Sequence, residues 1–356
     1  MISLTVSVVD LFCGIGGLTK GLEFAGLDVI AGVDIDESCR YAYEVNNKSK
    51  FIQGDVSSVD INQIIGLYPE DSVRVLVGCA PCQPFSKYTQ RYRKEGHKDE
   101  KWKLLYAFAN IIKGVKPEVI SMENVPELAK ESVFSDFLSF LTDEGYRFSW
   151  KIVYCPDYGV PQKRKRLVLL ASLLGDIELI PPLYEKEEYL TVRDAIGDLP
   201  VLKNGGQDRE DSIHCVTKLS QINLKRIQQS IPGGTWLDWD EDLRLPCHKK
   251  STGKSYGAVY GRMAWNEPSP TITTQFYGYG NGRFGHPEQD RALSYREGAI
   301  LQSFPKDYKF IGEEGSFNRR KLGIHIGNAV PVELGRAIGM SILTHLKEMG
   351  VGLSEE

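Results

Sequence analysis

No stretch of this chain is long and apolar enough to cross a bilayer: the longest, around Leu167 to Leu174, falls well short of the roughly 20 residues a spanning helix needs. Cysteine is sparse and odd in number, seven in 356 residues, and no secretory segment accompanies it. That argues against a disulfide framework and for a reducing cytosol. Only one C-x-x-C occurs, Cys79 with Cys82. The others, Cys13, Cys39, Cys155, Cys215 and Cys247, form no second pair, and His214 and His248 are isolated neighbours, so a closed zinc site lacks its ligands. An excess of one charge is missing too. A net charge of −4 gives no polyanion-binding signal by itself. No internal repeat or low-complexity tract is present.

What is there is an ordinary globular composition, 42% apolar and 25% charged, on a chain longer than one core usually grows, which predicts two lobes. Charge is unevenly spread. From Gln83 to Lys103 seven basic residues stand against three acidic ones, with Tyr88, Tyr92 and Trp102 among them. Further basic clusters lie at Lys163 to Arg166, Lys249 to Lys254 and Arg319 to Lys321. One such cluster is usually a solvated face; four beside candidate functional loops favour phosphate contact.

Val6 to Phe12 reads as a strand, followed by Cys13-Gly14-Ile15-Gly16-Gly17 and a helical pattern through Leu18, Leu22, Phe24 and Ala25. Strand, glycine turn and helix open a nucleotide-binding βαβ unit. The third glycine of G-x-G-x-x-G is absent, because position 19 is Thr19. A second strand, Val29 to Val33, ends in Asp34, twenty residues after Gly14, where a carboxylate accepts from ribose hydroxyls. A nicotinamide site shares these features. The third strand, Phe51 to Val56, adds Asp55, which suits either an adenine amino group or a turn.

A β-branched strand, Val73 to Val77, runs into Gly78-Cys79-Ala80-Pro81-Cys82-Gln83-Pro84-Phe85-Ser86. Prolines on both sides of Cys82 stiffen the turn, and the carboxyl end of such a strand is where a nucleophile belongs. As bare sequence the C-x-x-C also fits a redox pair or half a metal site. A helical pattern over Lys101 to Ile112 leads to the strand Glu118 to Met122, which closes on Glu123-Asn124-Val125; consecutive elements are usually neighbours, so thiol and carboxyl share one cleft. Strands near Trp150 to Cys155 and Leu167 to Ala171 bracket Gln162-Lys163-Arg164-Lys165-Arg166. Alternation puts Gln162, Arg164 and Arg166 on one side, a pair of guanidiniums suited to a phosphate or base carbonyl, or else an edge strand protected by charge. From Pro181 the texture changes. Val216 to Ile231 reads as helix, and residues 232 to 290 are dense in glycine, proline and aromatics, with Thr271 to Thr274 as strand. Leu293 to Phe304 and Glu333 to Lys347 read as helices.

The segment around Cys82 resembles the Pro-Cys-Gln motif of the DNA (cytosine-5) methyltransferases of prokaryotic restriction-modification type. Further motifs similar to that family's run in its order: Asp10 to Leu18, Glu123-Asn124-Val125, Gln162-x-Arg164-x-Arg166, Arg296-Glu297 with Gln302, Phe304 and Pro305, and Gly327 to Val332. Lys101 or Lys103 stands where relatives often have arginine. The resemblance implies an α/β fold: a Rossmann-like S-adenosylmethionine-dependent methyltransferase domain over residues 1–185 plus 320–356, and a smaller, mostly β target-recognition domain over 186–319. It implies Cys82, Glu123, Arg164 and Arg166 as catalytic residues. Phe12, Gly14, Gly16, Gly17, Asp34, Ile35, Asp55, Val56, Pro81, Asn328 and Ala329 are implied at the cofactor, and Gln83, Ser86, Lys87, Arg91 and Arg93 at DNA.

The implied reaction moves a methyl group from S-adenosylmethionine to carbon 5 of a flipped-out cytosine in a specific double-stranded DNA sequence, giving S-adenosylhomocysteine and using no metal. A monomer in the cytoplasm, associated with the nucleoid and paired functionally with a restriction endonuclease, is the corresponding setting. A cytosine-5 RNA methyltransferase shares the chemistry but carries changes beside the motif that are not seen after Gln83. A noncatalytic DNA-binding relative is disfavoured by the thiol, carboxyl and both arginines, and a nicotinamide dehydrogenase leaves Pro81-Cys82-Gln83 unexplained.

Overall fold

Strands β1 (Thr5–Leu11), β4 (Ser72–Gly78) and β5 (Val119–Asn124) are almost wholly buried along their length, as their near-continuous apolar runs require when both faces of a sheet are covered. The structure is a computed structural model that describes residues 5–80, 103–250, 257–312 and 317–351. With β2 (Asp28–Asp34), β3 (Lys50–Gln53), β6 (Arg147–Tyr154) and β7 (Lys165–Ser172) they form one seven-stranded sheet in the order β3-β2-β1-β4-β5-β7-β6. Strands β1 to β5 are parallel, and β7 runs antiparallel to both of its neighbours, β5 and β6, so that it alone is reversed. Leu11 at the end of β1 pairs with Val33 on one side and Gly78 on the other. Chain order reverses between β1 and β4, the switch point outside whose carboxyl ends a doubly wound sheet opens its crevice.

The chain divides into two compact units, residues 1–154, 165–182 and 330–356 in the first and residues 155–164 and 183–329 in the second. In the first, helices α4 (Lys103–Val115) and α5 (Ser132–Asp143) bury Phe108, Phe134 and Phe137 with the apolar face of the sheet. Each such side chain contributes about 1.5–3 kcal/mol by leaving water. Helices α2 (Arg40–Asn46) and α3 (Ile61–Ile65) follow β2 and β3, and helix α1 (Gly17–Ala25) lies against the last helix, α10 (Val332–Glu348). Their backbones meet through glycine: a Cβ on Gly21 would stand 2.2 Å from the Val332 carbonyl oxygen, and one on Gly339 2.6 Å from Ala25 Cβ. No helix among the described residues is long and apolar enough to cross a membrane.

The second unit departs from the mostly β expectation. Its described residues hold helices α6 (Val192–Ile196), α7 (Gln221–Gln229), α8 (Tyr295–Leu301) and α9 (Arg319–Asn328), short 3-10 turns and isolated bridges. Thr271 to Thr274 is not a strand, for a visible reason. The Ile272 amide donates to Gln162 Oε1 at 2.8 Å and its carbonyl accepts from Arg164 at 2.9 Å, so side chains satisfy the groups that a sheet ladder would use. The helix expected from Val216 starts only at Gln221, because the Val216 amide donates to the Gly206 carbonyl and the Leu219 amide to Asn204 Oδ1. The core is held by cations as well as rings: Arg226 lies over Trp239 and Tyr260 at 5.7 and 5.5 Å. Arg291 clasps Glu297 through two bonds of 2.8 and 2.7 Å. Burial pushes the Glu297 carboxyl up, but the Arg291 bonds and charge outweigh it and hold it at about 2.

Candidate active site

At the switch point the chain leaves β1 in left-handed conformations, with φ of 61° at Phe12, 51° at Gly14 and 84° at Gly16. Gly16 thereby caps α1, a backbone geometry glycine adopts without steric cost. The Gly14 amide donates to Asp34 Oδ2 at 2.9 Å and the Asp36 amide to Oδ1 at 2.9 Å, so Asp34 ties the end of β2 to the glycine loop. Each of its oxygens keeps a second lone pair for a ligand hydroxyl. A Cβ on Gly14 would meet nothing within 4 Å; the loop presents open space on that side. Phe12 is half-buried, Ile35 exposed and Val56 buried. Asp55 is exposed, and its bonds to Ser57 hold its carboxyl below the usual carboxylate range. It therefore forms the turn that its sequence position also allowed.

Thr19, where the third glycine would stand, has a purpose that the motif does not reveal. Its hydroxyl donates to Asp10 Oδ2 at 2.7 Å and lies 3.1 Å from the Tyr43 hydroxyl, which Ser49 Oγ approaches at 2.8 Å. A hydroxyl has one proton, so the bonds run in one direction, Ser49 to Tyr43 to Thr19 to Asp10. Asp10 is 1% exposed and its Oδ1 has no hydrogen-bond partner among the described residues. Burial pushes the carboxyl up to about 7, against the Thr19 bond, with the Asp34 charge adding to the rise. The native state therefore binds more protons than the unfolded chain between about pH 4 and 7, and stability falls as pH rises through that window. At about 1.4 kcal/mol per pH unit the loss is on the order of 4 kcal/mol. Asp10→Asn should flatten the slope, seen as a smaller fall in urea midpoint between pH 4 and pH 8 than the wild type shows.

Glu123 ends β5 with only 3% exposure. Arg166, near the start of the antiparallel β7, brings Nε to 2.7 Å from Glu123 Oε1, while Cys79 Sγ lies 2.8 Å from Oε2. Asn124 Nδ2 donates to the Ala80 carbonyl at 3.1 Å. These meetings follow from register: β4 and β5 are hydrogen-bonded neighbours with Gly78 opposite Met122, so the loop after β4 passes the end of β5. Glu123 and Arg166 are thus brought together, a meeting not read from the sequence, which set Arg166 beside Arg164. Pro81, Cys82, Gln83, Ser86, Lys87, Arg91 and Arg93 lie outside the described residues. Cys79, read from sequence only as the other half of a C-x-x-C, is the residue that sequence reasoning missed; its place one residue after β4 was the available signal.

Arg164 has different surroundings, in the second unit. It is 2% exposed and donates to the carbonyls of Ile272 at 2.9 Å and Gly327 at 3.3 Å. Gln162 is fully buried and donates to the Leu301 carbonyl and Gln302 Oε1, and Gln302 donates onward to the Ile326 carbonyl. Gln162, Arg164 and Gln302 therefore bind residue 272, the end of α8 and the end of α9 to one another. Lys163 and Lys165 are exposed, as alternation requires. Asn328 and Ala329 sit at the end of α9, exposed and half-buried.

A mostly parallel seven-stranded sheet with a glycine loop at its switch point and a buried carboxylate one strand away defines a Rossmann-like methyltransferase fold. The chain belongs to the C-5 cytosine-specific DNA methylase family, whose sequence pattern matches residues 6–344. It is 52% identical over 344 residues to the Type II methylase M.HgiDII of Herpetosiphon aurantiacus, covering 96% of each chain. It is 31% identical to the Type II methyltransferase M.Sau96I of Staphylococcus aureus, covering 96% of this chain and 76% of that one. The solved structure of the Entamoeba histolytica methyltransferase EhMeth shares the fold, with a TM-score of 0.61 at 19% identity, over 96% of this chain and 99% of that one. The protein is a DNA (cytosine-5) methyltransferase, and use of S-adenosylmethionine follows from the family.

Proposed function

We propose that the protein methylates carbon 5 of a cytosine turned out of a specific double-stranded DNA sequence, through a transient covalent bond between Cys82 and the base. The observation that carries this reading is the buried Glu123 carboxyl, with Arg166 on one oxygen and the loop leading to Cys82 on the other. Carbon 5 of cytosine is a weak nucleophile. Addition of the Cys82 thiolate to carbon 6, with a proton passing from Glu123 to ring nitrogen 3, makes the ring an enamine that is nucleophilic at carbon 5. A base then removes the carbon 5 proton, the ring returns its proton to Glu123, and Cys82 leaves as thiolate. Arg166 orients Glu123 and adds positive potential that favours the thiolate; Arg164, which we assign to the same machinery, holds residue 272 and the end of α9.

S-adenosylmethionine, when bound, supplies an electrophilic methyl group and leaves as S-adenosylhomocysteine. The glycine loop fits it: Gly14 opens onto free space and Asp34 stands ready for hydroxyl groups. Phe12, Gly16, Gly17, Ile35, Asp55, Val56, Pro81, Asn328 and Ala329 complete the set we assign to it. No metal enters this chemistry, since a thiolate is the nucleophile and a carboxyl the acid. Because a base within a duplex cannot reach such a site, the target must leave the stack. Gln83, Ser86, Lys87, Arg91 and Arg93 are assigned to DNA contact. Residues 1–185 plus 320–356 are assigned to catalysis and cofactor, and 186–319 to target recognition. A cytoplasmic, nucleoid-associated monomer that protects DNA from a cognate endonuclease is the setting we infer.

Incubation with methyl-labelled S-adenosylmethionine tests the assignment. Label should enter duplex DNA, at cytosine, within one sequence context. Label confined to RNA, or equal in single-stranded and duplex DNA of every sequence, would overturn it.

A further inference from the structure

We propose that Cys79 is a positioning residue for the Glu123 carboxyl, a role that rests on the reading of Glu123 as the proton donor to ring nitrogen 3. The thiol lies 2.8 Å from Glu123 Oε2, and its own backbone is fixed at both ends. The Cys79 amide donates to the Leu11 carbonyl at 3.4 Å, and the next residue's carbonyl accepts from Asn124 at 3.1 Å. The terminal torsion of a glutamate is broad and almost free of intrinsic preference. Arg166, at 2.7 Å from Oε1, restrains one oxygen only. A second donor at Oε2 fixes the carboxyl plane and leaves each oxygen one defined neighbour, a constraint that matters most for a group that must hand over a proton along one direction. Cysteine suits the place physically: it is compact enough for the half-buried gap after β4 and carries a weak donor that also accepts, so the contact survives whether the carboxyl is ionised or protonated.

Three variants, Cys79→Ala, Cys79→Ser and Glu123→Gln, give the test, read by single-turnover methyl transfer to a duplex carrying the target across a pH range. Cys79→Ala should slow transfer about tenfold, the scale of one hydrogen bond to an ionised group. Affinity for S-adenosylmethionine and KM for DNA should stay within about twofold. The limb of the pH–rate profile that reports the carboxyl should move to higher pH, because the anion has lost a donor. Cys79→Ser, which restores a donor, should recover both rate and profile; loss of a merely space-filling thiol would move neither the profile nor its rescue. If alanine unsettles the loop, as a urea midpoint reveals, Cys79→Val fills the volume without donating and should show the same displaced limb. A Cys79→Ala profile that superimposes on the wild type, or a serine variant as impaired as the alanine one, would overturn the proposal. Glu123→Gln distinguishes the two levels: full activity there removes the reading of Glu123 itself, whatever Cys79 does.

Discussion

Cys82→Ser is expected to abolish methyl transfer, lowering the single-turnover rate by roughly 10⁴-fold or more, the scale on which enzymes lose activity when a covalent nucleophile is removed. The reason is electronic. A cysteine thiol with an ordinary pKa near 8.5 is already a few per cent thiolate at neutral pH, and nearby cations raise that fraction. A serine hydroxyl stays protonated under the same conditions and has no adjacent base assigned to it. Without addition at carbon 6 the ring never becomes nucleophilic at carbon 5, so no compensation from Glu123 or Arg166 is possible. Binding should persist, because the assigned cofactor and DNA contacts are untouched. The paired variant is informative: Cys79→Ser should keep most activity, whereas a dithiol or metal site built on the C-x-x-C would lose it at both positions. A cytosine fluorinated at carbon 5 within the target duplex should remain joined to the wild-type chain through residue 82, since fluorine cannot leave as the proton does. An adduct mapped to another residue, or an active Cys82→Ser enzyme, would sink the covalent mechanism.

The parts of this molecule that were legible in its sequence are those where the chain's own period decides the outcome. Val6 to Phe12, Val73 to Val77 and Glu118 to Met122 are mostly apolar, interrupted only by Ser7, Asp10, Arg74, Glu118 and Ser121, and the structure makes each a central strand within a residue or two. The meeting of Glu123 with Arg166 was not legible: the sequence set the carboxyl beside the thiol loop and Arg166 beside Arg164, and only the pairing of β5 with β7 brings the two together. The second unit was less legible for a physical reason. Its short strand-like stretch at Thr271 to Thr274 has β-branched residues of the right kind, yet its backbone is taken by the side chains of Gln162 and Arg164, more than a hundred residues earlier. Side chain to backbone bonds over such separations carry no periodicity to detect. The Asp10 chain was hidden for a related reason. A carboxyl buried inside an apolar strand is unexpected by composition, and only Thr19, Tyr43 and Ser49 in three dimensions account for it.

Glu123→Gln is the second substitution expected to act strongly, slowing the chemical step by about 10²–10⁴-fold, the range general acid catalysis supplies. Its value lies in what it leaves alone. The amide has the shape of the carboxyl, with an oxygen to face Arg166 Nε and an amino group to face Cys79 Sγ, the neighbours that stand at 2.7 and 2.8 Å in the structure. Side-chain position, helix packing and the glycine loop should therefore be preserved. What disappears is a proton that can pass to ring nitrogen 3 and return. Without it the thiolate adds against a full negative charge developing on the ring, which a neutral amide stabilises poorly at a position only 3% exposed in the wild type. Single-turnover kinetics should show the loss in the rate of transfer, while a separate titration finds S-adenosylmethionine bound within about twofold of the wild-type affinity. If binding weakens in step with the rate, Glu123 belongs to the ligand-holding framework and another group must protonate the base. If the rate alone falls, the buried carboxyl at the end of β5 is the acid, and the short contacts around it are what keep it aimed.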